Sequence, residues 1–278
     1  MDWWEAILLG AVEGFTEFLP VSSTGHLTIL ESVLGHSTDD PDITAFTAII
    51  QVGAVAATVF FLRRDIVRIL RAWFRGLARP AERGDRDYRF GWAVILGSLP
   101  IAVVGLTFKD EIETTLRSLW FVAGALILWS GVMWFADSRA TQERHEEDVT
   151  WRDTLIIGAV QCLALIPGVS RSGATMSAGL LRGIDRVAVT RLAFFLSIPA
   201  LTGAGILQTI DEFDRISAGV GWGPTLLATA VSFVVALAAV SWLLRYIARH
   251  TYSVFIVYRV ALGVLLVALL TSGAISPT

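Results

Sequence analysis

Glu13 and Glu17 are spaced i, i+4, so on a helix both carboxylates project from one face. Side by side in a low-dielectric setting they repel, and a divalent cation removes that conflict. Two carboxylates with positions left open for phosphate oxygens and water are a usual way to hold Mg2+, and Ca2+ also accepts oxygen ligands. The plain alternative is an interfacial helix whose acids face water. A carboxylate inside a membrane is, by contrast, a functional site by default.

The acids run directly into Pro20-Val21-Ser22-Ser23-Thr24-Gly25-His26. A proline followed by hydroxyl residues reads as a helix break and a new helix start, where free backbone N–H groups and the helix dipole favour an anion. One of Ser22, Ser23 and Thr24 is needed only to cap that helix. Three hydroxyls exceed the need, and His26 lies three residues after Ser23, close enough on a helical turn to share a proton with it. A hydroxyl beside an imidazole is an activated-nucleophile arrangement.

The same stretch recurs 148 positions later with different chemistry: Gly10, Ala11, Val12, Val21, Ser22 and Gly25 match Gly158, Ala159, Val160, Val169, Ser170 and Gly173. Glu13 becomes Gln161, Glu17 becomes Leu165, Ser23 becomes Arg171 and His26 becomes Ala174. One copy carries acids and an imidazole, and the other carries a cation. Around Arg171 stand Pro167, Gly168, Ser170, Ser172 and Thr175, again at a helix start. The planar guanidinium fork matches phosphate oxygens, and a buried arginine needs an anion. That anion is either a phosphate held with the hydroxyls and N–H groups, or Glu13 or Glu17 in a structural ion pair.

The elements that carry these residues must lie in a membrane. The chain has 278 residues, 54% of them hydrophobic and only 17% charged, with ten Trp and a mean hydropathy of +0.64. An ordinary soluble domain brings about 25% charged residues. No basic domain suggests nucleic acid. The lone Cys162 sits in an apolar run and reads as a small hydrophobe. Trp3 and Trp4 read as interfacial anchors, and Met1 to Glu5 lack the basic start of a signal peptide.

Apolar stretches at 43–62, 90–108, 118–136, 187–209, 224–246 and 254–272 are each near the roughly 20 residues needed to cross a bilayer. Segments 4–19 and 153–166 are shorter and broken by proline, the pattern of re-entrant hairpins whose irregular backbone lines an enclosed cavity. The predicted fold is an all-α polytopic membrane protein, a single membrane domain over 1–278 with six transmembrane helices and two re-entrant helix hairpins. Residues 1–140 form one repeat and 150–278 a second. Each has a hairpin and three spans, an odd number of crossings, so the second repeat is inverted and the hairpins meet near the midplane.

The loop from Arg63 to Arg89 holds nine arginines against four acids and is expected in the cytoplasm. The loops around Lys109 to Arg117 and Asp211 to Arg215, and both termini, then face outward. Gln51, inside the first span, is a weaker candidate that either faces the cavity or bonds a neighbouring helix.

Glu13 through His26 closely resembles the glutamate-rich motif of the bacterial undecaprenyl-pyrophosphate phosphatase family linked to bacitracin resistance. Pro167 through Thr175 is similar to that family's second motif, Pro-Gly-x-Ser-Arg-Ser-x-x-Thr. Length and predicted topology agree over essentially the whole chain. The resemblance implies an inner-membrane enzyme that removes the terminal phosphate of a C55 polyprenyl pyrophosphate, regenerating the lipid carrier for peptidoglycan. It also implies a divalent cation and a site open to the periplasmic or outer face. By matching positions, Glu13 and Glu17 are the metal-associated acids, Ser23 and His26 the catalytic pair and Arg171 the phosphate-binding arginine. Ser22, Thr24, Ser170, Ser172 and Thr175 support them. Inverted repeats and broken helices are equally the anatomy of a secondary transporter or lipid flippase, which is the alternative function. Gly203 and Gly205 are packing positions within one subunit or across a homodimer.

Overall fold

The computed structural model describes residues 1–37, 40–108 and 118–275. Among the described residues six helices are long and apolar enough to cross a membrane: α3 (Pro41–Phe61), α5 (Arg86–Thr107), α6 (Leu119–Arg139), α9 (Arg186–Asp211), α11 (Trp222–Ile247) and α12 (Ser253–Thr271). All six fall on the stretches expected from hydropathy. Three of their starts carry an aspartate cap: Asp40, Asp85 and Asp185 accept from the backbone N–H of Asp42, Asp87 and Ala188. Such a cap satisfies donors that the first helical turn leaves open. Leu128, Val257 and Leu226 point outward, Leu128 with 76% of its surface exposed. A belt of bare aliphatic side chains is what a lipid-facing surface requires. The loop 109–117, expected to be outward and poor in positive charge, lies outside the described residues.

Between α3 and α5 runs α4 (Arg63–Ala78), whose Arg68 and Asp65 form one charged network with Asp87, Arg191 and Glu146. Beyond α6, Arg144 grips Asp153 with both terminal nitrogens, at 3.0 and 2.6 Å, and Arg182 reaches the same carboxylate. His145 Nδ1 lies 2.8 Å from Asp185, and that hydrogen bond pushes the imidazole pKa up. These ion pairs fasten the 140–150 connection to the neighbouring helices.

Four short helices flank the two proline-containing breaks: α1 (Trp3–Thr16), α2 (Ser23–Val33), α7 (Trp151–Gln161) and α8 (Arg171–Leu181). At about 1.5 Å per residue each reaches at most some two-thirds of a hydrocarbon core about 30 Å thick. A one-turn-plus helix, α10 (Phe213–Ala218), lies between α9 and α11.

The short helices pack by exchange. Gly10 and Gly14 of α1 lie on the backbone of Ala228 and Ser232 in α11, and Gly158 of α7 lies on the backbone of Gly97 in α5. Each first short helix therefore rests on a span from the other half of the sequence. A side chain at Gly10 or Gly158 would overlap a carbonyl oxygen, so the matched glycines of the two copies allow one and the same close approach. Beneath the first break, Phe18 packs edge-on against Phe194 of α9, centroids 5.4 Å apart, in the largest apolar cluster.

Candidate active site

The two breaks have one geometry. Ser22 precedes α2 and Ser170 precedes α8, with φ of 76° and 77°, a left-handed backbone that non-glycine residues seldom adopt. Each serine turns its Oγ onto the N–H three residues on, Gly25 at 3.4 Å and Gly173 at 3.2 Å. The cap thus falls to Ser22 and Ser170, which leaves Ser23 and Arg171 as first helical residues, presented rather than spent. Strain of this kind persists only where the surroundings enforce it, and it clusters at functional sites.

The surroundings here are the breaks themselves. Gly168 donates its N–H to Ser22 Oγ at 3.2 Å, and Ser172 donates its hydroxyl to the Leu19 carbonyl at 2.7 Å. Arg259 of α12 completes the tie. Its guanidinium is fully buried and donates to the Gly168 carbonyl (2.8 Å), the Pro20 carbonyl (3.4 Å) and Ser130 Oγ (3.1 Å). One side chain thereby bridges residues more than a hundred positions apart.

Above the joined breaks lies a cavity of about 270 Å3. Glu13, Glu17, Ser22, Ser23, Thr24, Ser170 and Arg171 line it, as do Thr28, Glu31, Gln51 and Gln208. Glu13 and Glu17 keep 2% and 6% of their surface. Glu17 is engaged at both oxygens: one is ion-paired with Arg171 Nη2, and the other accepts from Ser23 Oγ at 2.5 Å. Arg171 makes no other hydrogen bond with the described residues, so the rest of its fork is open to the cavity. Of the five residues expected to converge, Glu13, Glu17, Ser23 and Arg171 meet at this cavity, and His26 does not.

Other expectations fare differently. The proton-sharing contact expected between Ser23 and His26 is not formed, because Ser23 turns to Glu17 and the imidazole turns away. His26 Nδ1 lies 2.7 Å from the Ser22 carbonyl and Nε2 lies 2.6 Å from the Tyr258 hydroxyl. His26, Ser172 and Thr175 are absent from the cavity wall. Thr175 donates back to the Arg171 carbonyl at 2.8 Å, and Ser172 is the tie to Leu19. Gln51 takes both parts expected of it, lining the cavity and donating to Gln208 at 3.1 Å.

Glu31, Gln208, Tyr258 and Arg259 were not found by reading the sequence. Glu31 is 1% exposed, and its signal was an acid inside an apolar helix five residues past His26. Arg259, in the middle of the last apolar stretch, gave the same kind of signal.

No group of three or more acidic, histidine or cysteine side chains disposed to hold a metal occurs among the described residues. The chemistry of the donor set still fits a hard cation of the Mg2+ kind, which takes one or two carboxylates and completes its shell with substrate phosphates and water. Glu13 has the required character: a buried carboxylate on the cavity wall that makes no hydrogen bond with the described residues.

Residues 6–265 match the family model described as bacitracin resistance protein BacA. The chain is 70% identical to undecaprenyl-diphosphatase 3 of Frankia casuarinae over 274 residues, covering 99% of both chains. It is 52% identical to the undecaprenyl-diphosphatase of Cutibacterium acnes, covering 99% of this chain and all of the relative. Against the undecaprenyl-diphosphatase of Mycobacterium ulcerans it is 50% identical over the full length of both.

Proposed function

Because the chain belongs to the bacitracin resistance protein BacA family, we propose that its cavity is where undecaprenyl pyrophosphate is hydrolysed to undecaprenyl phosphate and inorganic phosphate. That reaction returns the lipid carrier to cell-wall synthesis and confers bacitracin resistance. The observation that carries the reading is the meeting of Glu17, Ser23 and Arg171 in one buried cavity. A pure binding site for phosphate needs the arginine. It does not need a hydroxyl placed on a carboxylate, so nothing here favours the transport alternative.

Phosphoryl transfer depends mainly on positioning and on neutralising the transferred group. The open donors of Arg171 and the first N–H groups of α2 and α8 grip the terminal phosphate. Ser23 Oγ attacks its phosphorus while Glu17 Oε2 takes the hydroxyl proton. The bond to the bridging oxygen breaks, and undecaprenyl phosphate leaves with that oxygen. Water then attacks the phosphoserine: the Ser23–phosphorus bond breaks, Glu17 returns its proton to Ser23 Oγ, and inorganic phosphate leaves with the atoms of the water. Glu13 and Glu17 would hold a divalent cation, Mg2+ or Ca2+, which offsets phosphate charge when bound. Thr24, Ser170 and the Ser22 peptide shape the cradle, and Ser172, Thr175 and His26 support it from behind.

The short helix pairs α1–α2 and α7–α8 are re-entrant hairpins of two inverted repeats, 1–140 and 150–278. Supporting this are the matched serine caps, the matched glycine contacts and the odd number of spans per half. With the arginine-rich α4 in the cytoplasm, the cavity opens to the periplasmic side of the inner membrane and the polyprenyl tail leaves between spans into lipid. Both motifs lie in one chain, so a homodimer, if formed through Gly203 and Gly205, adds nothing the site lacks.

The test is phosphate release from undecaprenyl pyrophosphate by purified protein in detergent, with and without EDTA. Brief incubation with substrate labelled in the terminal phosphate should trap label on the wild type and none on Ser23→Ala. A Ser23→Ala protein with full turnover would eliminate the serine route.

A further inference from the structure

His26 is held at both ring nitrogens, and the two bonds fix its chemistry. The Ser22 carbonyl can only accept, so Nδ1 at 2.7 Å carries the proton. Nε2 of the neutral ring is then an acceptor, and the Tyr258 hydroxyl, 2.6 Å away, donates to it. The rings also stack, with centroids 5.5 Å apart and planes 12° from parallel. The carbonyl so held belongs to Ser22, the residue in left-handed backbone whose Oγ joins Gly25 to Gly168 and whose successor is Ser23. Next to Tyr258, Arg259 takes the Pro20 and Gly168 carbonyls. Two consecutive residues of α12 thus address the first break from outside the cavity.

We infer that Tyr258 is a positioning residue for the hydrolysis, acting through His26 to hold the Ser22 peptide and thereby to aim Ser23 at Glu17. This rests on the proposed function in taking Ser23 as the group to be aimed. An N–H on a histidine is set by the bond that its other nitrogen makes. Without the tyrosine hydroxyl, Nε2 competes for the proton, the ring no longer donates steadily to Ser22, and the strained turn relaxes away from its attacking geometry. Substrate binding through Arg171 is untouched, so the effect belongs to turnover.

The experiment compares wild type, Tyr258→Phe, His26→Ala and the double variant, in kinetics and in nitrogen-15 spectra of histidine-labelled protein. Phenylalanine keeps the stack and removes only the hydroxyl. Loss of one such hydrogen bond corresponds to roughly five-fold in rate. The expected result is a kcat about five-fold lower for Tyr258→Phe with KM unchanged, no further loss when it is added to His26→Ala, and a shifted His26 Nε2 resonance. Equal losses with and without His26, an undiminished or raised kcat, or an unmoved Nε2 resonance would overturn the inference. The spectrum reads the Tyr258–His26 bond even if the wild type releases no phosphate, an outcome that counts against the proposed function instead.

Discussion

Ser22 and Ser170, 148 positions apart in the chain, hold the same left-handed backbone and cap the same relative N–H, and Ser22 is in addition bonded by Gly168 from the other copy. The duplicated turn is a device for presenting the residue that follows it: a hydroxyl in one copy, a guanidinium in the other.

Replacing these serines should therefore be unequal. Ser22→Ala removes the acceptor of two backbone N–H groups, whereas Ser170→Ala removes the acceptor of one and a hydroxyl bond to Ser172, which keeps its own bond to Leu19. Losing a serine cap costs about 1 kcal/mol, and a second buried donor left unpaired costs roughly 1–3 kcal/mol more. Thermal unfolding in detergent should rank wild type, Ser170→Ala and Ser22→Ala in falling order.

The ion pair of Glu17 with Arg171 neutralises two charges that could not stay buried singly. Glu17→Gln should lower kcat by about 10²–10⁴, the usual range for losing a proton acceptor. Arg171→Lys keeps the charge but loses the planar fork, so it should still fall about 10²-fold or more in kcat/KM. Steady-state kinetics on monodisperse protein checks both.

Close helix approach gives a purely structural contrast. A methyl at Gly158 would meet the carbonyl of Gly97, whereas one at Gly203 meets open space. Gly158→Ala should destabilise by about 1–3 kcal/mol or more, as overpacking does. Gly203→Ala should be neutral or gain up to about 1 kcal/mol from helix propensity. Denaturation of the two variants side by side separates the cases.

His145, bonded to Asp185, has a raised pKa. A group whose folded pKa is raised contributes its full stabilisation below the unfolded value, about 6.5, and loses it as pH climbs through the higher folded value. The melting temperature of wild type minus that of His145→Gln should be positive in mild acid and shrink toward zero above that window. A difference that grew with pH would contradict the assignment.

How much of this was legible in sequence varies with the physics involved. Six spans were readable because lipid demands long apolar runs, and the short helices because proline interrupts their apolar stretches. That Glu17, Ser23 and Arg171 meet could be anticipated because the two matched stretches of sequence align on each other and differ at those positions. What local spacing could not show was direction. Ser23 and His26 are neighbours on a helical turn, yet the serine faces Glu17 and the imidazole faces Tyr258, 232 residues away in sequence. Arg259, too, is in sequence only a charge in an apolar run, because the two carbonyls it joins come from distant segments of the chain.

The most direct test of the central claim is release of inorganic phosphate from undecaprenyl pyrophosphate by the purified chain, measured for wild type, Ser23→Ala and Arg171→Ala with and without EDTA. Hydrolysis by wild type that EDTA abolishes, and that either substitution lowers by about 10²-fold or more, is the predicted result. Absence of metal-dependent release by the intact, monodisperse protein, or full release by the Ser23→Ala and Arg171→Ala variants, would contradict it.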